Sequence, residues 1–328
     1  MLGRLADERF RDVVERYRVF REPKMKAVLR VQDEAVSALR DYLRSNGFIE
    51  ILAPIIGPVT DPGIRGAKQA VVDYYGYRYK LMSSMILYKQ MAILAHPKVF
   101  ALSPNVRLEP VETLRTGRHL TEFRQVDVEM AEASYEDAMK VAEELLAYVC
   151  DRVRRECPDE LSLLGRELRV PKTPFKRITY DEAHDILAGL GYKFRYGEEI
   201  PWDAEEAISR LHDEPFFIVG YPISARGFYD REDPERPGML RDFDMIYPEG
   251  YGEAVSGGER EYTYEKVLAR MRGEDPSDYG WYLDMLREGI PPSAGFGIGV
   301  ERLTRFLCGL KYVWEAAPFP KLPNLFSP

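Results

Sequence analysis

The stretch RHLTEFRQVDVE, residues 118–129, contributes most to the prediction of the fold. Residues 122–130 are typical of a β-strand, and polar and apolar residues alternate from Gln125 to Met130. A second β-rich run lies at residues 99–103, and the turn between the two runs carries Arg118 and His119. The sequence therefore predicts a pair of strands joined by a charged turn.

Helical patterns lie on both sides of this strand pair. Apolar residues recur at three- and four-residue steps over residues 28–43, and an Asn-Gly pair at 46–47 predicts the end of that helix. Ser134 and Asp137 have the spacing of a capping box, which predicts a second helix that ends near residue 155. Two amphipathic helices are thus expected to cover the strands.

Further short strands are predicted at residues 48–53, 216–220, 241–247 and 293–298. Residues from about 157 to 215 mix short helices with turns marked by Pro and Gly, which predicts a small inserted helical subdomain. The strands pair with neighbouring strands rather than alternate strictly with helices. This arrangement favours the α+β class, with an antiparallel sheet flanked by helices.

The composition limits the classes of function. The chain has 328 residues and a net charge of −8, which argues against a broad basic surface for nucleic acid. No apolar run approaches the roughly 18 residues of a membrane span, and the charged segment 1–18 lacks the apolar stretch of a signal peptide. We therefore expect a soluble, cytoplasmic protein with no membrane contact. The scarcity of Asn and Gln beside abundant Arg and Glu is typical of thermophilic proteins.

Common nucleotide-binding and metal motifs are missing from the sequence. It has no GxxxxGK[ST] loop, no GxGxxG after a strand and no HExxH. Arginine, acidic residues and glycine are instead concentrated in three separate segments, at residues 106–123, 252–260 and 295–302. A nucleotide site, if present, must be built from these segments.

In their order and spacing, the three segments resemble the class II aminoacyl-tRNA synthetases of the aspartyl and asparaginyl branch. Residues 118–129 resemble the second motif of that family, and residues 295–303 with Pro318-Phe-Pro resemble the third. Residues 27–54 are similar to the first motif, which forms the dimer interface in the family. The resemblance implies a single catalytic domain over residues 1–328, the class II fold and a homodimer.

The resemblance also implies a site for ATP and Mg²⁺. Arg107 matches the residue that binds the α-phosphate and Arg302 the γ-phosphate partner, so these two are the expected catalytic residues. The other expected ATP-binding residues match the same motifs: Glu109 and Phe123 at adenine, Arg118 and His119 at the β- and γ-phosphates, and Glu253, Gly299 and Glu301. Glu253 and Ser256 match the oxygen ligands of magnesium.

A second set of positions matches the amino-acid pocket of the family. Lys89 and Arg260 match the two residues that bind the aspartate side chain, and two cations suit an acidic substrate better than an amide. The remaining expected substrate-binding residues are Ser84, Gln125, Asp127, Ser256 and Gly257. This reasoning predicts aspartate rather than asparagine as the amino acid.

Two departures from the synthetases shape the functional prediction. No anticodon-binding β-barrel, or OB-fold, precedes the catalytic motifs, and Ser84-Met-Ile86-Leu87 replaces the family's Ser-Pro-Gln-Leu. In both respects the chain resembles the archaeal asparagine synthetase related to asparaginyl-tRNA synthetase. We therefore expect an AMP-forming aspartate–ammonia ligase that uses aspartate, ATP and ammonia through an aspartyl adenylate and does not use tRNA.

Two alternatives remain open at this stage. A truncated synthetase homologue would transfer the activated amino acid to tRNA or to a protein amine. A regulatory paralogue would bind the amino acid or a synthetase partner without catalysis. Retention of Arg107, Glu253 and Arg302 argues against the regulatory protein, because a binding module does not need a complete ATP site.

Overall fold

A computed structural model describes residues 10–64, 66–271 and 273–328. The first nine residues, which belong to the charged N-terminal segment discussed above, lie outside this range. Within the described residues, no helix is both long and apolar enough to span a membrane.

Eight strands form the main sheet and three form a small one. In chain order the strands are β1 (Ile49–Glu50), β2 (Ile56–Gly57), β3 (Val71–Tyr74), β4 (Tyr77–Leu81), β5 (Lys98–Val106), β6 (Glu122–Ala131), β7 (Lys176–Thr179), β8 (Phe216–Val219), β9 (Asp242–Tyr247), β10 (Gly252–Glu259) and β11 (Ser293–Gly299). The order in the main sheet is β1-β5-β6-β11-β10-β9-β8-β7, and in the small sheet it is β2-β4-β3.

Helices pack around the main sheet and connect its strands. They are α1 (Arg11–Val14), α2 (Arg16–Val19), α3 (Pro23–Ser45), α4 (Ile86–Ala92), α5 (Tyr135–Glu156), α6 (Pro158–Leu164), α7 (Tyr180–Gly189), α8 (Trp202–Ser209), α9 (Tyr264–Arg270), α10 (Gly280–Glu288), α11 (Val300–Leu307) and α12 (Val313–Ala316).

The central six strands, from β5 to β8 in sheet order, are antiparallel, whereas β1 and β7 join the two edges in parallel. The α+β prediction is therefore confirmed. The sheet is mixed at its edges because a long crossover separates β1 and β7 from their neighbours, as parallel pairing requires: the small sheet and α4 lie between β1 and β5, and α7 and α8 lie between β7 and β8.

The main core lies between the sheet and the two long helices predicted from the sequence. Ser134 caps α5 through the predicted capping box, in which its side chain accepts from the amide of Asp137 and the Asp137 carboxylate accepts from the amide of Ser134. The buried faces of α3 and α5 pack with β6 and β11 in one apolar cluster. This layer holds the strands that carry the site.

The segment 157–215 contains helices α6, α7 and α8, as expected, but also strand β7. β7 pairs with β8, so the segment extends the main sheet rather than standing apart from it. Helices α7 and α8 form a second apolar cluster against that edge, whereas α6 packs in the main core. The division of the chain into a catalytic domain with an inserted subdomain stays a prediction.

The small sheet is largely exposed at β3. All four residues of β3 are exposed, and so are Tyr74, Tyr75 and Tyr77, which lie at the ends of β3 and β4 and in the turn between them. Leu52 and Ile55, which precede β2, are also exposed. A small sheet of this kind leaves considerable apolar surface in contact with solvent.

Candidate active site

A cavity of about 460 Å³ opens above β6, β10 and β11. Every site residue predicted from the sequence lines it: Ser84, Lys89, Arg107, Glu109, Arg118, His119, Phe123, Gln125, Asp127, Glu253, Ser256, Gly257, Arg260, Gly299, Glu301 and Arg302. Three segments that are distant in sequence thus contribute to one site. The individual roles of these residues stay predictions.

The floor of the cavity depends on the pairing of β6 with β11. Gln125, Asp127 and Glu129 alternate along one face of β6 and lie opposite glycines 299, 297 and 295 of β11. A Cβ atom at position 297 would lie 2.0 Å from Gln125 Nε2, and one at position 295 would lie 2.1 Å from Glu129 Oε2. Glycine in β11 therefore provides the space that the polar side chains of β6 occupy.

One end of the cavity holds two buried cations. Lys89, on α4, donates to the carbonyl oxygen of Phe296 at 2.9 Å and to Asp127 Oδ1 at 3.4 Å. Arg260 Nε donates to Glu129 Oε1 at 3.1 Å, and its Nη1 donates to Asp230 Oδ1 at 3.4 Å. Both cations therefore already have partners in the protein.

The balance of charge at this end changes the substrate argument made from the sequence. Three buried carboxylates, those of Asp127, Glu129 and Asp230, contact the two cations. Burial lowers the pKa of Lys89 and raises the pKa of Asp127. Since the carboxylates outnumber the cations, two positive charges do not by themselves select an acidic side chain. The choice of aspartate over asparagine loses this support.

The other end of the cavity carries the arginines expected to bind phosphate. Arg107 Nε donates to the carbonyl oxygen of Ser83 at 3.2 Å, and its guanidinium lies 5.2 Å from the centre of the Phe123 ring. Arg302 Nη1 lies 3.3 Å from Glu253 Oε2. Arg118 is buried and lies 2.7 Å from Glu205. These contacts hold the three guanidinium groups along one wall.

Glu109 and Glu301 are two further carboxylates of the predicted set that line the cavity. Burial raises the pKa of Glu109, and the charges of Arg107 and Arg302 oppose that rise. The Glu301 carboxylate accepts two hydrogen bonds from the amide of Arg124, at 2.9 and 3.1 Å. Burial nevertheless raises the pKa of Glu301 to about 7. Gly299 precedes it as the N-cap of α11.

Glu253 and Ser256 can both contribute to a magnesium site because an irregularity of β10 turns both side chains toward the cavity. Residues three apart on a regular strand face opposite sides, but the pairing of β10 with β9 shifts register between Glu253 and Val255. Both the carboxylate and the hydroxyl therefore reach the cavity. Two oxygen donors are what the protein commonly supplies to a magnesium ion that also binds phosphates and water. No cluster of three His, Cys, Asp or Glu side chains within the described ranges could hold a metal ion without such help.

Gly257, an expected substrate-binding residue, lines the cavity and also packs closely against its neighbours. A Cβ atom at Gly257 would lie 2.6 Å from the carbonyl oxygen of Gly295 and 2.7 Å from the ring of Phe243. Close packing with the neighbouring strand and core therefore already requires glycine here.

Several cavity residues were not predicted from the sequence. One of them is Trp202 on α8, whose ring lies 4.4 Å from that of the predicted residue His119. His119 itself hydrogen-bonds through Nδ1 to Thr116 Oγ1 at 2.6 Å. Trp202 and Glu199 come from the segment in which no motif was found, and no local signal marks them. Asp61 also lies in the cavity wall, and its Oδ1 accepts from Tyr229 Oη at 2.7 Å.

Comparison with known proteins agrees with this geometry. Residues 9–323 match the family model described as tRNA synthetases class II (D, K and N). The asparagine–tRNA ligase of Pyrococcus abyssi is 38% identical over 313 residues, which cover 94% of this chain and 71% of the relative.

Solved structures show the same likeness. Asparaginyl-tRNA synthetase from Pyrococcus horikoshii, complexed with asparaginyl-adenylate, superposes with a TM-score of 0.91 at 36% identity and covers 98% of this chain and 74% of its own. Aspartyl-tRNA synthetase from Entamoeba histolytica superposes with a TM-score of 0.82 at 28% identity, over 97% and 62% of the two chains.

The prediction of an aspartate–ammonia ligase is wrong, because the curated relatives that match over most of the chain are tRNA ligases. The same relatives give no support to the expectation that tRNA is not used. Ile86, on which the earlier argument rested, is a buried residue at the start of α4, where it packs in an apolar cluster and lines the cavity. Its apolar side chain carries no information on the group that accepts the activated amino acid. By its sequence, its fold and its cavity, the chain belongs to the class II tRNA synthetases of the aspartate, lysine and asparagine group.

Proposed function

We propose that the protein activates asparagine or aspartate with ATP as an aminoacyl adenylate and transfers the aminoacyl group to a tRNA. The observation that carries this proposal is one cavity that joins the Lys89 and Arg260 end to the Arg107 and Arg302 wall. The names of the most similar relatives, and the adenylate bound to one of them, support the same reaction.

The first step needs a fixed positive charge at the α-phosphate. A carboxylate oxygen of the amino acid attacks the α-phosphorus, the bond to the bridging oxygen breaks, and pyrophosphate leaves with the electron pair. Arg107 is held by the Ser83 carbonyl and by the Phe123 ring, so its guanidinium is positioned before charge develops. Arg302 and Arg118 supply positive charge for the departing phosphates.

A magnesium ion, when bound, would supply Lewis-acid charge at the ATP phosphates. Glu253 and Ser256 are the residues that would hold it. The Glu253 carboxylate lies between Arg302 and Arg118, with Oε2 3.3 Å from Arg302 Nη1 and 3.9 Å from Arg118 Nη2, so it faces the phosphate wall.

The second step transfers the aminoacyl group. A hydroxyl of the tRNA acceptor attacks the carbonyl carbon of the adenylate and loses its proton, and AMP leaves. The polar side chains of β6 keep the amino-acid end in place during both steps, because their positions are set by the register with β11.

The proposed assembly is a homodimer. Leu52, in the segment that resembles the first motif, is almost fully exposed at 96%, and Ile55 is 64% exposed. Tyr74, Tyr75 and Tyr77 of the small sheet are also exposed and add apolar surface. A second copy covering this surface would remove it from water.

ATP–pyrophosphate exchange with asparagine and with aspartate tests the first step, and charging of tRNA tests the second. Arg107→Ala should lower exchange by about a hundredfold or more, because a preorganised charge at the reacting phosphate is lost. Arg152→Ala, which removes an arginine from α5 that pairs with Glu34, is the matched control and should keep parental exchange.

The two assays separate the two halves of the proposal. Absence of exchange with both amino acids would contradict adenylate formation. Exchange without tRNA charging would contradict the choice of acceptor and leave the first step intact.

A further inference from the structure

Glu129 is a fully buried carboxylate that no motif assigns to substrate, yet it contacts both cations of the amino-acid end. Its Oε1 lies 3.1 Å from Arg260 Nε, and its Oε2 lies 3.6 Å from Lys89 Nζ. Ser293 Oγ donates to Oε1 at 2.9 Å. Side chains from three separate parts of the chain, Lys89, Arg260 and Ser293, therefore contact this one carboxylate.

The Glu129 side chain lies over β11, where glycine leaves room for it. A Cβ atom at Gly295 would lie 2.1 Å from Glu129 Oε2, so the side chain occupies the space above that glycine. Asp230 contacts the same guanidinium from its other end, with Oδ1 3.4 Å from Arg260 Nη1. Arg260 is thus clamped between two carboxylates.

The clamp also determines the charge that a substrate meets. Among the groups in direct contact with one another, Lys89 and Arg260 contribute two positive charges, and Asp127, Glu129 and Asp230 contribute three carboxylates. Asp61, Arg226 and Arg270 line the same cavity and act on Asp230 from further away. An asparagine side chain adds no charge to this group, whereas an aspartate side chain adds a fourth negative charge. Within a buried cluster a single unit charge has a large effect on which ligand binds.

We infer that Glu129, supported by Asp230, is a positioning residue that holds Arg260 and sets the choice between an amide and a carboxylate side chain in the amino-acid pocket. This inference rests on the proposed function, because it concerns the substrate of that same site. Loss of either negative charge should favour aspartate over asparagine, since the cations are then less fully neutralised.

The test is the ratio of kcat/KM for aspartate to kcat/KM for asparagine, measured by ATP–pyrophosphate exchange at one ionic strength. Glu129→Gln keeps the shape and an acceptor for Ser293 but removes the charge, and we expect the ratio to rise about tenfold or more. Asp230→Asn removes the second charge and should move the ratio in the same direction. Glu129→Asp retains the charge, so its ratio should stay within about threefold of the parent value.

Glu143→Gln is the control for loss of a buried carboxylate elsewhere. Glu143 accepts from the amide of Phe175 at 2.8 Å and does not line the cavity, so the ratio should not change. Thermal melts of each variant define a temperature at which it is folded. If Glu129→Gln does not fold, the ratio measured for Asp230→Asn tests the inference instead, because Asp230 lies at the cavity wall.

The outcomes distinguish the inference from the proposed function. A purely structural role for Glu129 would lower both kcat/KM values by the same factor and leave the ratio unchanged in Glu129→Gln and Asp230→Asn. That result, with exchange intact in the parent protein, overturns the inference alone. Exchange with neither amino acid in the parent protein overturns the proposed function, and the inference falls with it.

Discussion

At the scale of single residues, Glu301 is the carboxylate with the clearest pH signature. Burial raises its pKa from an ordinary value of 4.5 to about 7 in the folded protein. The folded state therefore binds a proton that the unfolded state releases between these two values. The stability from this group is fully present below about pH 4.5 and is lost as the pH rises through 7.

Glu301→Gln should remove this dependence. We expect the Tm difference between the variant and the parent protein to grow in favour of the variant from about pH 4.5 to 7, because only the parent must ionise a buried group. A pKa rise of this size corresponds to about 3 kcal/mol at most. Calorimetric melts at several pH values measure the difference, and parallel curves would contradict the assignment to Glu301.

The sequence predicted which residues line the site better than it predicted their partners. Lys89 and Arg260 were placed in one pocket from motif positions, and both line the cavity. Their compensation by Glu129 and Asp230 was not predicted, because those contacts depend on the register of β6 with β11 and on an isolated bridge between Asp230 and Arg260. Charge counted along a sequence is therefore a poor measure of charge in a folded pocket.

At the scale of elements, the glycines of β11 make a direct prediction. A Cβ atom at Gly295 would lie 2.1 Å from the backbone carbonyl oxygen of Val128, which cannot move without shifting β6. Gly295→Ala should therefore cost about 3 kcal/mol or more through overpacking. Denaturant unfolding measures this cost.

Gly189→Ala is the matched control, because a Cβ atom at this position in α7 meets no atom within 4 Å. It should be neutral or slightly stabilising, since alanine favours a helix more than glycine does. Equal stability of the two variants would show that the spacing between β6 and β11 is not fixed as described.

Elements with a strong local signal were predicted well. The apolar period and the capping box placed α3 and α5 close to their observed bounds. β10 was recognised as a motif but not as a strand, because Gly252, Gly257 and Gly258 give it little β-propensity and its bulge interrupts the alternation. β7 was not predicted because it is a short strand between helical segments. It is recognised as a strand only through its pairing with β8, which the sequence does not show.

At the scale of the whole molecule, the proposed dimer makes the third prediction. Leu52→Asp places a charge on the exposed apolar surface that a second copy would cover, so the variant should sediment as a monomer at concentrations where the parent sediments at twice the mass of one chain. Leu211→Asp changes another exposed leucine outside that surface and should leave sedimentation unchanged. A parent protein that is monomeric throughout would contradict the proposal.

The acceptor was the part of the function that the sequence predicted incorrectly. Adenylate formation needs the same residues whether ammonia or tRNA attacks afterwards, so Arg107, Glu253 and Arg302 do not discriminate between acceptors. The choice of ammonia rested instead on departures such as Ile86, which is an apolar side chain in the wall of the cavity. A solved asparaginyl-tRNA synthetase, from the group of relatives that contradicts this choice, superposes on the chain with a TM-score of 0.91.

The glycine-lined strand beneath the cavity has a consequence for how this site can evolve. A side chain at position 295 or 297 would displace residues of β6. Substitutions at these two positions therefore cannot create new contacts with a substrate without disturbing the sheet. Changes in substrate choice must therefore arise in β6 itself or in the loops and helices above it, where side chains can vary without collapsing the floor. Related enzymes that diverge in specificity should differ at those upper positions while their lower strand remains nearly invariant.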